Sequence, residues 1–378
     1  MKIIVDENIP FGREAFENFG EVKLFNGREI DSSNCKNVDA LIVRSITKVN
    51  EELLNNSKVK FVGTTTIGTD HIDQNYLSKS NIDFSSAAGC NSYSVAEYVF
   101  SSLSIIVNNK NLNFNKLSIG VVGYGNIGKK VVSIAEALGM HVVVNDPPLQ
   151  RTTNQRNFST LEEALKCDII TFHVPLNKSG IDKTIHLLNE ENINLIKEEA
   201  ILINSSRGPV VSNEALKIEL ENRNNISTVF DVWETEPNYD SELLKLVSIG
   251  TPHIAGYSYE GKVNGTVMIY KALSKHLGVN PNWKPNLEEV VNNKIESVGI
   301  DTEENLLLKI FGKSYNIIED DTLLREGLNL PLNKRSEHFD RLRKKYKIRR
   351  ELNNFEISLN SETKKFRNLL KVLRIELC

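Results

Sequence analysis

From residue 1 to about 90, short apolar runs rich in Val and Ile alternate with polar, helix-compatible stretches: 3–5, 22–25, 40–43, 59–62 and 82–84. Runs this short and apolar at successive positions are strands covered on both faces, as a parallel βαβ sheet requires. The period then changes. Ala96, Val99, Phe100, Leu103, Ile106 and Val107 recur three and four apart, which predicts a helix over 94–107 leading into a second domain. There 117–122 reads as a strand, followed by Gly123-Tyr124-Gly125-Asn126-Ile127-Gly128 and a helical stripe of Ile127, Val131, Ala135 and Leu138. Further strands are expected at 141–145, 168–172, 200–204 and 227–230, so the α/β rhythm runs to about residue 250.

The pattern breaks at Asn280-Pro281-Asn282-Trp283-Lys284-Pro285, and the composition shifts beyond it. Residues 334–350 hold nine Lys or Arg against two acidic residues. The expected fold class is α/β: two doubly wound parallel-sheet domains plus a small C-terminal α+β domain. The expected boundaries are 1–93, completed by about 254–282, then 94–253, then 286–378. The chain's 378 residues suffice for two or three domains.

Charge narrows the partners. With 46 Lys and Arg against 49 Asp and Glu, a formal net charge of −3 gives no overall basic field, so nucleic acid is not an expected partner. Cys35, Cys90, Cys167 and Cys378 form no CxxC pair, which argues against a zinc site or disulfide framework. Cys90 reads as structural, and His71 beside Asp70 does not make a metal site, so no metal is expected. Only three consecutive apolar residues, Ile3 to Val5, precede Asp6, and no apolar run approaches a membrane span. A reduced, cytoplasmic chain without membrane contact is expected.

Three constellations carry chemistry. In the glycine run, Gly123 permits a tight strand-to-helix turn, Gly125 removes a side chain where backbone would meet a pyrophosphate, and Gly128 lets helix and strand approach. Asp146 ends the following strand, where a carboxylate can accept from an adenosine ribose, and Pro147, Pro148 and Leu149 follow rather than an Arg. That favours NAD over NADP in a Rossmann-type site. The second constellation is Asn204-Ser205-Ser206-Arg207-Gly208, where the Arg207 guanidinium matches a carboxylate with a planar fork of donors. The third pairs His253, in a Gly/Pro-bounded loop, with Glu236 seventeen residues earlier. Dehydrogenation of an alcohol needs a group to take the hydroxyl proton, and an imidazole held by a carboxylate supplies one.

Taken together, Gly123 to Gly128, Asn204 to Gly208, Asp231 to Pro237 and Pro252-His253 resemble the D-isomer-specific 2-hydroxyacid dehydrogenases. Further runs, among them Val5-Asp6-Glu7-Asn8-Ile9-Pro10, Val43-Arg44-Ser45, Gly68-Thr69-Asp70-His71 and Phe339-Asp340-Arg341-Leu342-Arg343, are similar to a branch of that family acting on a phosphorylated acid. The resemblance implies Arg207, Glu236 and His253 as the catalytic set. It implies NAD contacts from Gly123, Gly125, Asn126, Ile127, Gly128, Asp146, Val174, Ser205, Ser206, Arg207, Asp231 and Gly256. It also implies substrate contacts from Ser45, Thr66 and Tyr257. For the substrate phosphate, Arg44, Ser45 and Lys48 follow a first-domain strand, where they are placed to face the cleft. The expected partners are a small phosphorylated 2-hydroxyacid substrate and a second copy, as a homodimer through the C-terminal domain. The basic residues 341–350 either lend a cation to a neighbouring subunit or form a solvated helix face. Two alternatives stay open at this point: another D-2-hydroxyacid such as 3-phosphoglycerate, or a non-catalytic NAD-sensing protein on the same fold.

Overall fold

The computed structural model describes every residue except 155, 224, 361 and 362. By packing, the chain divides into two compact units, Met1–Asn91 with Ser258–Glu289, and Ser92–Tyr257 with Val290–Cys378.

The first unit is built on five parallel strands, β1 (Lys2–Asp6), β2 (Glu21–Phe25), β3 (Ala40–Val43), β4 (Phe61–Thr64) and β5 (Asp83–Ser86), in the order β2-β1-β3-β4-β5. Successive side chains of a strand point to opposite faces, so Ile3, Val5 and Ile42 enter one core with Ile269, Tyr270 and Leu273 of the helix Tyr259–His276. Ile4, Leu41 and Val43 enter the other, with Leu53, Leu54 and Leu77. Layers on both faces explain why these strands read as unbroken apolar runs.

The second unit holds six parallel strands, β6 (Ser118–Val122), β7 (His141–Asn145), β8 (Ile169–Phe172), β9 (Ile201–Asn204), β10 (Ser227–Phe230) and β11 (Ile249–Gly250), in the order β11-β10-β9-β8-β6-β7. Ile119, Val121, Ile201 and Val229 pack with Val131 and Ala135 of the helix Asn126–Ala137. Ile170, Phe172, Leu202 and Phe230 pack on the opposite face with Ala164, Leu216 and Leu243. The chain leaves β6 and returns through β8 on its other side, so the order reverses between these strands. A crevice at such a point is where open α/β sheets take ligands. Both sheets are parallel α/β sheets, as expected. β11, only two residues long, has no apolar run to announce it.

Sequence separates 286–378 as a body of its own, whereas packing gathers Val290–Cys378 with Ser92–Tyr257. The physical reason lies in the helix Ser92–Asn109, which buries even Ser94, Glu97, Ser101 and Ser104. Leu306, Leu307, Ile310 and Phe311 of the helix Glu303–Ser314 join its core. Burial, with Glu351 nearby, pushes the Glu97 carboxyl up to about 8, and Glu97 accepts from Leu352 N–H at 3.0 Å and Arg374 at 3.1 Å. The C-terminal segment also adds helices Ile317–Glu326 and Leu332–Lys344. Its three-stranded parallel sheet consists of β12 (Lys294–Ile295), β13 (Glu356–Ile357) and β14 (Glu376–Leu377).

Candidate active site

The glycine turn follows β6 directly. Gly123 has φ 97°, a conformation L side chains rarely adopt, and a Cβ there would stand 2.6 Å from His173 O. A Cβ on Gly128 would stand 1.9 Å from Gly123 O, so the helix start can seat on the turn only as glycine. A Cβ on Gly125 would meet nothing within 4 Å, which leaves an open approach to the backbone that begins the helix. Asn126 and Ile127 form the first turn of that helix, where backbone N–H groups have no intrahelical partner and suit an anion. Asp146, just after β7, accepts from Tyr124 N–H at 2.7 Å and Leu149 N–H at 2.9 Å, so its carboxylate is fixed to the glycine turn. Val174 follows β8 across the reversal point, with Cγ1 3.0 Å from the Cβ position of Gly123.

Arg207, Glu236 and His253 follow the carboxyl ends of three neighbouring strands. Asn204, Phe230 and Gly250 are paired across β9, β10 and β11 in one row. Arg207 lies three residues past that row, Asp231 one and His253 three. The loops are drawn together at Gly208, whose absent Cβ would lie 2.0 Å from the Trp233 carbonyl oxygen. Asn204 shapes the first loop, accepting from Ser206 N–H at 3.1 Å and donating to Arg207 O at 3.0 Å. Ser205 Oγ is buried with no protein partner, and Arg207 Nη1 donates to Ser206 O at 2.8 Å.

His253 adopts φ 58°, an uncommon conformation for a residue with a side chain. Asp231 holds it there. Its carbonyl accepts from His253 N–H at 2.7 Å, and its buried carboxylate takes Thr251 Oγ–H at 2.6 Å, Ile254 N–H at 2.7 Å and Ala255 N–H at 2.9 Å. Burial raises the Asp231 pKa, opposed in part by His253 and these bonds. His253 Nδ1 lies 2.6 Å from Glu236 Oε2, and Glu236 Oε1 accepts from Trp233 N–H at 2.8 Å. Burial pushes the Glu236 carboxyl up, but the nearby His253, both bonds and the Arg343 charge outweigh it and hold the group below its ordinary value. An ionised carboxylate facing Nδ1 fixes the imidazole with Nε2 as its proton-accepting atom.

Tyr257 and Gly256 belong to the same turn, with Tyr257 N–H donating to Ile254 O at 2.8 Å. The predicted residues of the first unit form their own cluster. β3 and β4 pair Val43 with Thr64, so Ser45 and Thr66 stand two residues past that row on adjacent strand ends. Thr66 Oγ is 2.9 Å from Thr64 Oγ, and Thr64 Oγ is 3.0 Å from His71 Nε2. Arg44 lies 3.8 Å from the buried Asp6, where that sheet's order reverses between β1 and β3. Lys262, absent from the sequence-based set, has its pKa lowered by burial and, to a lesser extent, by the nearby Arg44 charge. Its place in GKVNG, past a Ser-capped helix start, gave no cue. Among the described residues no group of three His, Cys, Asp or Glu could hold a metal, and no helix is long and apolar enough to cross a membrane.

The fold and these strand ends define a nicotinamide-dependent dehydrogenase class. Residues 107–255 match the model of the D-isomer specific 2-hydroxyacid dehydrogenase NAD binding domain, and 287–372 match one described only as a domain of unknown function. A D-lactate dehydrogenase structure from Aquifex aeolicus, complexed with NAD and lactic acid, is similar at 27% identity and TM-score 0.59, over 74% of this chain and 96% of that one. The erythronate-4-phosphate dehydrogenase of Escherichia fergusonii is 43% identical over 354 residues, 93% of this chain and 92% of that protein. The erythronate-4-phosphate dehydrogenase of Cellvibrio japonicus is 41% identical over 380 residues, 99% of each. The chain belongs to the erythronate-4-phosphate dehydrogenase family, within the D-isomer specific 2-hydroxyacid dehydrogenases.

Proposed function

We propose that this chain oxidises 4-phospho-D-erythronate at C2 to 2-oxo-3-hydroxy-4-phosphobutanoate, with NAD, on the route to pyridoxal 5′-phosphate. The supporting relatives span nearly the whole chain and bear that substrate in their names. The observation that carries the chemistry is the 2.6 Å contact between His253 Nδ1 and Glu236 Oε2 beside the Arg207 loop.

The residues fit a dinucleotide: an open approach at Gly125, a buried Ser205 hydroxyl without a protein partner, and a fixed Asp146 carboxylate after β7. Gly123 to Gly128 would hold its pyrophosphate, Asp146 its ribose, and Val174, Ser205, Ser206, Arg207, Asp231 and Gly256 would line the rest. NAD, when bound, supplies the acceptor for the hydride that leaves C2. Arg207 clamps the substrate carboxylate through its planar donors. His253 Nε2 takes the C2 hydroxyl proton as the C–O double bond forms, and Glu236 stabilises the imidazolium. Ser45, Thr66 and Tyr257 contact the substrate, and Arg44 pairs with its phosphate.

The protein is further proposed to be a cytoplasmic homodimer through its C-terminal segment. Val291, Val298, Leu332 and Ile348 of that segment are large apolar side chains left exposed, as a subunit interface would use them. Cys35, Cys167 and Cys378 are free thiols, in keeping with a reducing compartment.

The test is NADH formation with 4-phosphoerythronate beside unphosphorylated erythronate and 3-phosphoglycerate. Turnover confined to the first compound is expected. Equal or faster turnover of 3-phosphoglycerate would overturn the substrate, and sedimentation as a monomer would overturn the dimer.

A further inference from the structure

The basic run 334–350 divides. Arg341, Lys344, Lys345 and Lys347 are exposed, but Arg349 is buried and Arg343 turns partly inward, its Nε buried without a hydrogen-bond partner. Both inward residues reach the turn that carries His253. Arg349 donates to Ala255 O at 3.2 Å and to Ser94 O at 2.6 Å, and its guanidinium lies 3.8 Å from the Tyr315 ring centre. Ala255 is thus held at both ends, its N–H by Asp231 and its carbonyl by Arg349. The Tyr257 ring meets Tyr346 edge to face at 5.7 Å, and Tyr346 is itself anchored by donating to Asp320 at 2.7 Å. Arg343 lies 6.0 Å from the Tyr257 ring centre, hydrogen-bonds that side chain, and is within electrostatic reach of Glu236. A guanidinium suits this place because its planar fork keeps its charge and can serve two partners.

We infer that Arg343 is a positioning residue for the reaction, steadying Tyr257 and the Glu236 carboxylate from the C-terminal segment of the same chain. The segment matched only to a domain of unknown function thereby becomes part of the catalytic apparatus, beyond any role in dimerisation. Arg343 need not touch substrate; it acts through the side chain proposed to contact substrate and through the partner of His253. The inference rests on the proposed function for the substrate and for the roles of Tyr257, Glu236 and His253.

The experiment compares wild type, R343K and R343M in the full-length protein. It measures kcat and KM for 4-phosphoerythronate, NAD affinity by fluorescence quenching, and the thermal midpoint. R343M is expected to lose about tenfold or more in kcat/KM, with NAD affinity within about twofold of wild type, and R343K to recover a severalfold part of that loss. A merely structural arginine would shift the midpoint and NAD affinity together and leave kcat/KM of the folded fraction intact. That pattern, or an R343M kcat/KM within twofold of wild type, would overturn the inference. Should R343M fail to fold, R343Q is read by the same criteria. If wild type itself does not turn over 4-phosphoerythronate, the substrate assignment alone falls, and the comparison is made on whichever D-2-hydroxyacid wild type oxidises.

Discussion

Both units end parallel strands in short loops, and each has a histidine there, yet the histidines are chemically different. In the first unit His71 Nε2 meets the Thr64 hydroxyl, and burial, although opposed by Asp70, lowers its pKa to about 4. In the second, His173 sits at the reversal point against the Thr171 hydroxyl, and burial lowers its pKa to about 3. His253 alone of the three has a carboxylate on its ring nitrogen, itself kept ionised by the surrounding donors. On the proposed mechanism a strand-end histidine therefore becomes a proton acceptor through its partner rather than through its address in the sheet.

The strongest challenge to this contrast is removal of the imidazoles one at a time. H253A is expected to lower kcat by about 10²–10⁴-fold while NAD affinity stays near wild type. H71A is expected to cost much less in steady-state assays. Equal losses in the two variants would end the distinction. Next comes the partner. E236Q keeps the shape and removes the charge, and loss of one charge-assisted hydrogen bond, about 1.5–3 kcal/mol, corresponds to roughly 10–150-fold in kcat. An E236Q enzyme with wild-type kcat would show that the carboxylate does nothing for His253.

The glycine turn sharpens the contrast from the cofactor side. G128A drives a Cβ into the Gly123 carbonyl and should destabilise by about 1–3 kcal/mol in urea titrations. G125A, which meets no protein atom, should leave the urea midpoint unchanged and weaken NAD binding instead. The reverse pattern would contradict the assigned roles.

The smallest effect concerns acid. His173 has a folded-state pKa near 3 against an ordinary 6.5, so the unfolded chain binds the proton more readily. Its contribution to stability is full above pH 6.5 and declines as pH falls toward 3. At pH 5.5 the loss is on the order of 1 kcal/mol. Urea midpoints at pH 7.5 and 5.5 should fall less steeply for H173N than for wild type.

The parts legible in the sequence are those with local marks. Most strands around the site are apolar runs whose ends are flagged by Gly or Ser, so Gly123 and Arg207 could each be placed just beyond a strand, whereas His253 follows the two-residue β11 and reads only as part of a Gly/Pro-bounded loop. Glu236 could be joined to His253 only through chemistry, because the two lie 17 positions apart, with loop, helix and strand between them. The joining of Val290–Cys378 to the second unit was hidden, although Glu97, the one charged residue of the helix Ser92–Asn109, is the residue that marks it. Arg343 was submerged in a charge run. Its one signal is helical spacing: it lies four residues after the buried Phe339, hence on the same face.

The three paired residues Asn204, Phe230 and Gly250 act as a ruler beneath the chemistry. Neighbouring strands repeat at about 4.8 Å, so the roots of the arginine, glutamate and histidine loops are spaced by backbone pairing alone. Connections at the opposite, amino edge of the sheet can therefore lengthen or shorten among relatives without retuning the reaction. A protein engineer changing substrate choice should leave those roots alone and vary only what grows beyond them.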